Sequence, residues 1–264
     1  MARGAGAIFT PEQACRTGRL TRRALLHYVP RRAFKASIGA CFDMKPKSVT
    51  SRDESGKRQA IIDACRRMNA LGINQGTSGN ISVRHADGLL ITPTSVPYDE
   101  MVPEQIVFMD MNGSFAAGQR PSSEWRFHLD IMRSRAEVNA VVHAHPTYAT
   151  ILSIMEMEIP AIHYMVAVAG GDNIRCSPYA TFGTQELSAH ALAALEGRFA
   201  CLLGHHGMIA VGPSLSRALW LAVEVETLAR QYHGCLQIGQ PQLLSKAEIE
   251  LVRAKMAGYG HADV

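Results

Sequence analysis

An apolar run that ends in two histidines is the feature that most restricts how this chain can fold. Ala140-Val141-Val142 is typical of a buried strand, and His143 and His145 follow it two residues apart. Successive side chains of a strand point to opposite faces, so residues i and i+2 share a face. Two neutral imidazoles on one face suit a divalent transition ion such as zinc. The run therefore predicts a strand that presents two metal ligands.

Two other segments offer side chains that would complete such a site. Leu203-Gly204-His205-His206-Gly207 supplies a third histidine, and Ser122-Ser123-Glu124 supplies a carboxylate. Neighbouring residues of a strand point to opposite faces, so only one of His205 and His206 should reach the ion, and the pattern leaves open which one. A lone His-x-His pair is more often a surface or core feature, but three histidines and an acid would give a catalytic zinc an open position.

Several sequence blocks follow one another within residues 56–260. In chain order they are GINQGTSGNIS (72–82), LITPT (90–94), PSSEWRFH (121–128), HAH (143–145), IPAIHY (159–164), PYATFG (178–183) and HHG (205–207). This order resembles that of the class II aldolase/adducin family, and within it most closely the bacterial L-fuculose-phosphate aldolases. The blocks are long enough that chance is a poor explanation for them.

The resemblance implies a zinc-dependent lyase. It implies that His143, His145 and His206 hold one zinc ion per chain, with Glu124 as a fourth ligand before substrate binds and as the acid/base afterwards. It also implies that Tyr164 is a catalytic tyrosine lent by a neighbouring subunit, which requires a homo-oligomer, expected as a homotetramer. The expected reaction is the reversible cleavage of a 1-phosphorylated deoxyketose, such as L-fuculose 1-phosphate, into dihydroxyacetone phosphate and an aldehyde.

Without that resemblance the same residues have simpler interpretations. Glu124 alone would be an acid in the first turn of a helix, favoured by the helix dipole. Tyr164 alone would be a buried anchor with a bonded hydroxyl. The remaining histidines, including His128, have no ligand spacing to the metal pair and are expected to be structural or surface residues.

A phosphate site is expected beside the metal. Its expected contacts are Gly79, Asn80, Thr94, Ser95, Ser122 and Ser123. The glycines of the segment 76–80 allow backbone N–H groups to converge on an anion. The two serines before a helix add donors where the helix dipole favours negative charge.

Three residues bear on which substrate is bound. Glycine follows Thr94 in the fuculose enzymes, so Ser95 is a departure from the family pattern that leaves the exact substrate open. Phe182 is expected to form a wall on the aldehyde side, and Tyr259 to close over the site as part of the C-terminal tail.

Hydrophobic periodicity predicts an α/β fold. The predicted helices cover 55–71, 122–135 (with Ser122 as a cap), 184–195 and 215–233, followed by one that begins at Ser245; the predicted strands cover 81–84, 89–92, 106–110, 138–143, 199–203 and 207–211. Strands occur both as hairpins and between helices, which predicts a mixed, largely antiparallel sheet. The family resemblance implies a three-layer arrangement, with one central sheet and helices on both of its faces.

Charge divides the chain into two parts. Residues 1–50 contain ten Lys or Arg against Glu12 and Asp43, whereas the rest carries 17 basic and 21 acidic residues. We expect residues 1–53 to be a basic extension, either disordered or a product of a start assigned upstream of Met44; a transit peptide is the less favoured alternative. Residues 54–264 would form the catalytic domain. No nucleic-acid or membrane partner is expected, and the six cysteines without a C-x-x-C pair favour the cytoplasm.

Four alternative functions use the same fold. The nearest is an aldolase for 5-deoxyribulose or 5-methylthioribulose 1-phosphate in nucleoside salvage. Less favoured are a methylthioribulose-phosphate dehydratase, which also has a glutamate, and a pentulose-phosphate 4-epimerase, which has aspartate at the position of Glu124. The non-enzymatic alternative is an adducin-like interaction module, which has no need of an open cation site.

Overall fold

The computed structural model describes residues 52–256 of the 264-residue chain. Most of the basic extension expected over residues 1–53 and the tail residue Tyr259 lie outside the described residues. The helices are α1 (Arg52–Ala70), α2 (Trp125–Ser134), α3 (Thr147–Ile154), α4 (Gln185–Ala194), α5 (Leu215–Ile238) and α6 (Lys246–Met256). The strands are β1 (Asn80–His85), β2 (Gly88–Ile91), β3 (Val107–Asp110), β4 (Ala140–Ala144), β5 (Ile159–Pro160), β6 (Asn173–Ile174), β7 (Cys176–Ser177), β8 (Ala200–Leu203) and β9 (Gly207–Gly212).

Seven of these strands form one sheet in the order β3-β2-β1-β4-β9-β8-β7. All neighbouring strands in it run antiparallel except β7 and β8, which are parallel. The predicted mixed, largely antiparallel sheet is therefore confirmed. β5 and β6 pair separately as a small second sheet.

Helices cover both faces of the main sheet, as the three-layer prediction requires. One core cluster joins alternate sheet residues to α1, α3 and α5, and a second joins the intervening residues to α2 and α4. In β4, Ala140, Val142 and Ala144 belong to the first cluster and Val141 to the second. His143 therefore faces the layer of α2 and α4, where its ring meets that of Phe127 edge to face at 5.4 Å.

The start of α2 differs from the prediction in a way that matters for the site. Ser122 is not the helix cap, because α2 begins at Trp125 and Glu124 occupies the N-cap position. The Ser122 hydroxyl oxygen instead accepts the Glu124 N–H, at 3.3 Å. An N-cap residue has non-helical backbone angles, which frees the Glu124 side chain from the helix surface.

The other predicted helices agree with the structure more closely. α1 ends two residues before Gly72, which has a φ of +70° and supplies the expected left-handed end of the helix. α5 continues five residues beyond the predicted end at His233, because Gly234 alone does not break a long packed helix. Within the described residues, no helix is both long and apolar enough to cross a bilayer.

Candidate metal centre

Four side chains converge at one edge of the sheet. They belong to Glu124, His143, His145 and His206, and one ligand atom from each lies within 4.8 Å of the others. The three imidazole rings are pairwise 4.8 Å apart between centroids and steeply inclined to one another. Each ring can therefore direct a nitrogen at a common point.

β4 and its neighbours orient His143. The residue is fully buried and pairs across the sheet with Asn80 of β1 and Ile209 of β9. Its Nδ1 lies 2.8 Å from the carbonyl oxygen of Met208, to which it donates, so Nε2 is the nitrogen left for a ligand. Such a bond from the outer nitrogen is the usual way in which a ligating histidine is held in one tautomer.

His145 and His206 stand on either side of His143. His145 follows the last residue of β4, and its Nε2 lies 2.9 Å from Nε2 of His143. Burial, then the charges of His143 and His206, lower the pKa of His145 to about 3, which keeps its ring neutral and able to donate a lone pair at pH 7. The β8–β9 turn places His206 within the same group.

The structure answers the question that the His-His pair left open. His206 lies in the cluster, whereas His205 is half-exposed and its Nε2 is 3.6 Å from Oε1 of Glu156. The expectation that one of the two reaches the site holds, but for a different reason. The pair lies in a tight turn rather than a strand, and His205 has a left-handed φ of +54°.

Glu124 is a buried carboxylate among these rings. Its Oε1 lies 3.2 Å from Nε2 of His206, and its Oε2 lies 3.2 Å from Nε2 of His143. Burial raises its pKa, but the charges and hydrogen bonds of His143 and His206 outweigh burial and hold the pKa of Glu124 well below its usual range. It is therefore an anion at neutral pH.

This donor set fits a divalent cation. Glu124 Oε1 is buried and faces Nε2 of His206 at 3.2 Å, so a neutral ring with its lone pair on this nitrogen leaves the oxygen without a donor. Leaving a buried anion unpaired is costly, and a metal ion removes that cost. Three imidazoles together leave a fourth position on a tetrahedral ion, and in catalytic zinc sites that position is open to water or substrate.

A hydrogen-bonded network behind Glu124 was not foreseen from the sequence. Asn80 donates from Nδ2 to Oε2 of Glu124 at 2.8 Å, and its Oδ1 contacts Nε2 of His128. The opposite ring nitrogen of His128 lies 2.7 Å from the hydroxyl of Ser82. His128 is not a member of the group of four ligand residues, and both of its ring nitrogens contact other side chains. The spacing of Glu124 and His128, four residues apart and so on one helix face, is the signal that could have linked them.

The group of four ligand residues lies beside a cleft of about 330 Å³. Its lining residues are Ser78, Ser123, Glu124, His145, Tyr179, Ala180, Phe182, His205 and His206. Two residues singled out from the sequence for substrate contact, Ser123 and Phe182, therefore face the metal cluster. Tyr179, which the sequence did not single out, lines the same cleft.

The other expected phosphate contacts, Gly79, Asn80, Thr94, Ser95 and Ser122, are not among the described residues that line this cleft. The Thr94 and Ser95 hydroxyls are 3.3 Å apart at an exposed edge, and Ser95 has a left-handed φ of +59°, where glycine is favoured. Ser122 is buried, and the Asn80 amide is already bonded to Glu124. Gly79 is required for packing, because a Cβ there would lie 2.6 Å from the carbonyl oxygen of His143.

Tyr164 lies elsewhere. It is half-exposed and lines a separate groove of about 530 Å³ together with Arg217, Trp220 and Met256. Among the described residues, it is not one of those that line the metal cleft.

Comparison with known proteins agrees with this geometry. A profile described as "Class II Aldolase and Adducin N-terminal domain" matches residues 59–233. A 5-methylthioribulose-1-phosphate/5-deoxyribulose-1-phosphate aldolase of Rhodospirillum rubrum is 55% identical over 203 residues, 77% of this chain and 92% of the relative. An L-fuculose phosphate aldolase of Escherichia coli K12 is 54% identical over 201 residues, 76% of this chain and 94% of the relative. A solved L-fuculose 1-phosphate aldolase superposes with a TM-score of 0.75 at 38% identity, covering 78% of this chain and 97% of that structure.

Proposed function

This chain belongs to the class II aldolase and adducin family, and we propose that it cleaves a 1-phosphorylated deoxyketose reversibly into dihydroxyacetone phosphate and an aldehyde. The relatives make the chain an enzyme and a lyase, an aldolase of the fuculose- and ribulose-phosphate type. The observation that carries the proposal is the convergence of three imidazoles and a buried carboxylate on one point beside a cleft.

The metal we propose is zinc, one ion per chain, held by His143, His145 and His206. When bound, it would act as a Lewis acid that stabilises the negative charge developing on the ketose oxygens. Glu124 would occupy a coordination position in the absence of substrate. Zinc fits because neutral imidazole is among its preferred ligands, and the outer nitrogen of His143 already has its partner.

Glu124 is the residue we assign to proton transfer. Its carboxylate is anionic and lies at the wall of the cleft, so it can exchange a proton with the carbon at which the bond breaks. Asn80 holds Oε2 while Oε1 faces the ring of His206, which leaves one oxygen free to move between its two roles. Tyr164 of a neighbouring chain would handle the proton on the departing aldehyde oxygen.

The substrate phosphate would lie at the rim of the cleft. We assign it to the backbone N–H groups of Gly79 and Asn80 and to the hydroxyl-bearing residues Thr94, Ser95, Ser122 and Ser123. Ser123 lines the cleft next to Glu124, and the N-terminus of α2 favours an anion there. Phe182, 63% exposed and lining the same cleft, would contact the aldehyde half of the substrate.

Two types of substrate fit the comparisons. The relatives named for 5-methylthioribulose and 5-deoxyribulose 1-phosphate and those named for L-fuculose phosphate match this chain almost equally, at 55% and 54% identity. L-fuculose 1-phosphate is our first proposal, and a 5-deoxy- or 5-methylthio-ribulose 1-phosphate is the second. All of them share the dihydroxyacetone phosphate half, so the aldehyde half decides.

We propose a homotetramer with the site at a subunit interface, and the proposed role of Tyr164 requires an oligomer of this chain. In its own chain this tyrosine lies in a groove with Trp220 and Met256 rather than in the metal cleft, so another subunit has to supply it. Mixing Glu124→Gln and Tyr164→Phe chains during refolding should restore part of the activity, because some sites then combine two intact residues. No recovery in mixed assemblies would contradict this arrangement.

The assay that tests the function measures dihydroxyacetone phosphate release from a panel of 1-phosphorylated deoxyketoses. We expect release from at least one member, about one zinc per purified chain, and loss of activity on chelation that zinc restores. Water loss without aldehyde would instead indicate a dehydratase, and epimer formation an epimerase. A fully folded, metal-free and inactive protein would indicate an adducin-like module. The four described cysteines, Cys65, Cys176, Cys201 and Cys235, are free thiols, in keeping with the cytoplasm as the proposed location.

A further inference from the structure

We propose that His128 is a positioning residue that fixes the orientation of the Asn80 amide and, through it, the carboxylate of Glu124. The catalytic consequence rests on the proposed function, whereas the hydrogen-bond assignment does not. No comparison assigns a role to His128, and it is neither among the residues that line the cleft nor a member of the group of four ligand residues.

Glu124, Asn80 and His128 form a chain of hydrogen bonds that links β1 to the start of α2. His128 of α2 follows the N-cap residue Glu124 by four residues, and the Asn80 side chain contacts both of them. Ser82, two residues along β1 and so on the same face, contacts the far nitrogen of His128. The ring and the serine are fully buried, and Asn80 is 5% exposed.

Only one pattern of protons satisfies all of these contacts. Oε2 of the ionised Glu124 has no proton to give, so Asn80 must direct its NH₂ group at it and its Oδ1 at His128. Nε2 of His128 must then carry a proton and donate to Oδ1. A neutral ring has a single proton, so Nδ1 accepts from the Ser82 hydroxyl.

The ring is held in the neutral form that this pattern needs. Burial, then the charge of His143, lowers the pKa of His128 to about 3. A reversed tautomer would set the lone pair of Nε2 against Oδ1, or turn the amide so that Oδ1 faced the carboxylate. Either arrangement leaves a buried polar group unpaired, which costs about 1–3 kcal/mol.

The consequence for the reaction is a change in the orientation of the Glu124 carboxylate. A carboxylate at a helix N-cap has no helical backbone to restrict its rotamer. Among the described contacts, Oε2 of Glu124 lies close to one of the three clustered histidines, His143, and accepts one further side-chain hydrogen bond, from Asn80. If the amide can flip, this bond is replaced by repulsion between two oxygens. Loss of His128 should therefore affect turnover more than binding.

The first experiment examines the wild-type protein without reference to activity. Long-range ¹H–¹⁵N correlation of the His128 ring, assigned by comparison with His128→Gln, should show a proton on Nε2 and none on Nδ1, with and without zinc. A proton on Nδ1 at neutral pH would overturn the assignment, whatever the protein catalyses. The measurement is made on the native chain, and His128→Gln serves only to assign the signal.

The second experiment compares variants. His128→Phe keeps an aromatic ring but removes both nitrogens, and we expect kcat to fall about 10–100-fold, the usual effect of losing an outer-sphere partner, with little change in KM and one zinc retained. His128→Gln, which offers an amide donor to Asn80, should recover part of kcat. His190→Phe is the matched control, since His190 of α4 has a buried ring nitrogen with no partner and does not line the cleft.

The route of the effect is tested with a double variant. If His128 acts through Asn80, then His128→Phe should cost little further activity in an Asn80→Leu background. Unchanged kcat in His128→Phe, or fully additive losses, would overturn the proposal. Absence of aldolase activity in the wild type would defeat the proposed function instead, and the tautomer measurement would still decide the hydrogen-bond assignment.

Discussion

The Nδ1 atom of His143 lies 2.8 Å from the carbonyl oxygen of Met208 in the neighbouring strand. Met208 follows His206 by two residues, so the start of β9 orients His143 and the turn just before β9 carries His206. The pairing of β4 with β9 is therefore what brings residues more than 60 positions apart into one coordination geometry. Disturbing this pairing should disturb the site as a whole.

Replacing Glu124 by glutamine should separate metal binding from proton transfer. Glu124→Gln keeps an oxygen for the Asn80 amide and removes the base, so we expect zinc content near that of the wild type and a rate about 10²–10⁴-fold lower. Steady-state kinetics with metal analysis measures both. Glu104→Gln, at an exposed acid outside the cleft, is the control. Normal turnover in Glu124→Gln would mean that another group transfers the proton.

The two adjacent histidines should differ sharply in their effect on zinc. Loss of an outer-sphere partner typically weakens metal binding about 10–100-fold. We expect a larger loss of zinc affinity in His206→Ala, because His206 is a member of the ligand group. His205→Ala should change the Kd little, since its ring lies beside Glu156 and Tyr179. Competition with a chromophoric chelator gives both constants. The reverse order of effects would move the ligand by one residue.

A methyl group at Gly79 should displace the strand that carries His143. Its Cβ would lie 2.6 Å from the His143 carbonyl oxygen and 2.8 Å from Oδ1 of Asn74, and the first of these is backbone that cannot rotate away. We expect Gly79→Ala to lose about 1–3 kcal/mol of unfolding free energy and to bind zinc more weakly. In Gly56→Ala, the matched control within α1, the added Cβ meets nothing within 4 Å, and about 0.5–1 kcal/mol should be gained. Equal stability of the two variants would refute this account.

Ser95 should show opposing contributions to stability and binding. Its φ of +59° favours glycine, so Ser95→Gly should raise the free energy of unfolding by about 1 kcal/mol. Ser95→Ala keeps the unfavourable backbone angle and should not. If the hydroxyl contacts the substrate phosphate, both variants should raise KM alike. Urea denaturation and kinetics on the pair distinguish strain from contact, and a KM change in only one variant would remove the hydroxyl from the phosphate site.

Protonation of His128 should make the metal-free protein less stable in acid. Its pKa is about 3 in the folded chain, against an ordinary value of 6.5, so below pH 6.5 the unfolded chain binds a proton that the folded one refuses. The stabilisation is complete above pH 6.5 and is lost progressively as the pH falls towards 3. Between pH 7.5 and 5 the loss from this residue amounts to about 2 kcal/mol. Urea denaturation of His128→Gln should show a pH dependence that is smaller by that amount, and identical slopes would contradict it.

Much of the fold could be predicted because it depends on neighbouring residues. Successive strand residues alternate between the two faces of the sheet, as Val141 and Val142 do here. This alternation depends only on consecutive positions, and it already predicts that His143 and His145 share a face. Hairpin strands, the end of α1 at Gly72 and the mixed sheet follow from similarly local patterns. The resemblance of ordered sequence blocks then singled out the four residues that the structure brings together.

Tertiary structure alone decided the rest. Whether His205 or His206 enters the cluster depends on a turn in which one residue takes a left-handed φ, and strand alternation does not describe such a turn. The partners of Asn80 come from α2, 44 and 48 residues away, and Tyr164 lies in a groove closed by two later helices. Periodicity reports which face a residue occupies, whereas hydrogen bonds and ligand sets require positions in space, and these are settled only when distant segments pack against one another.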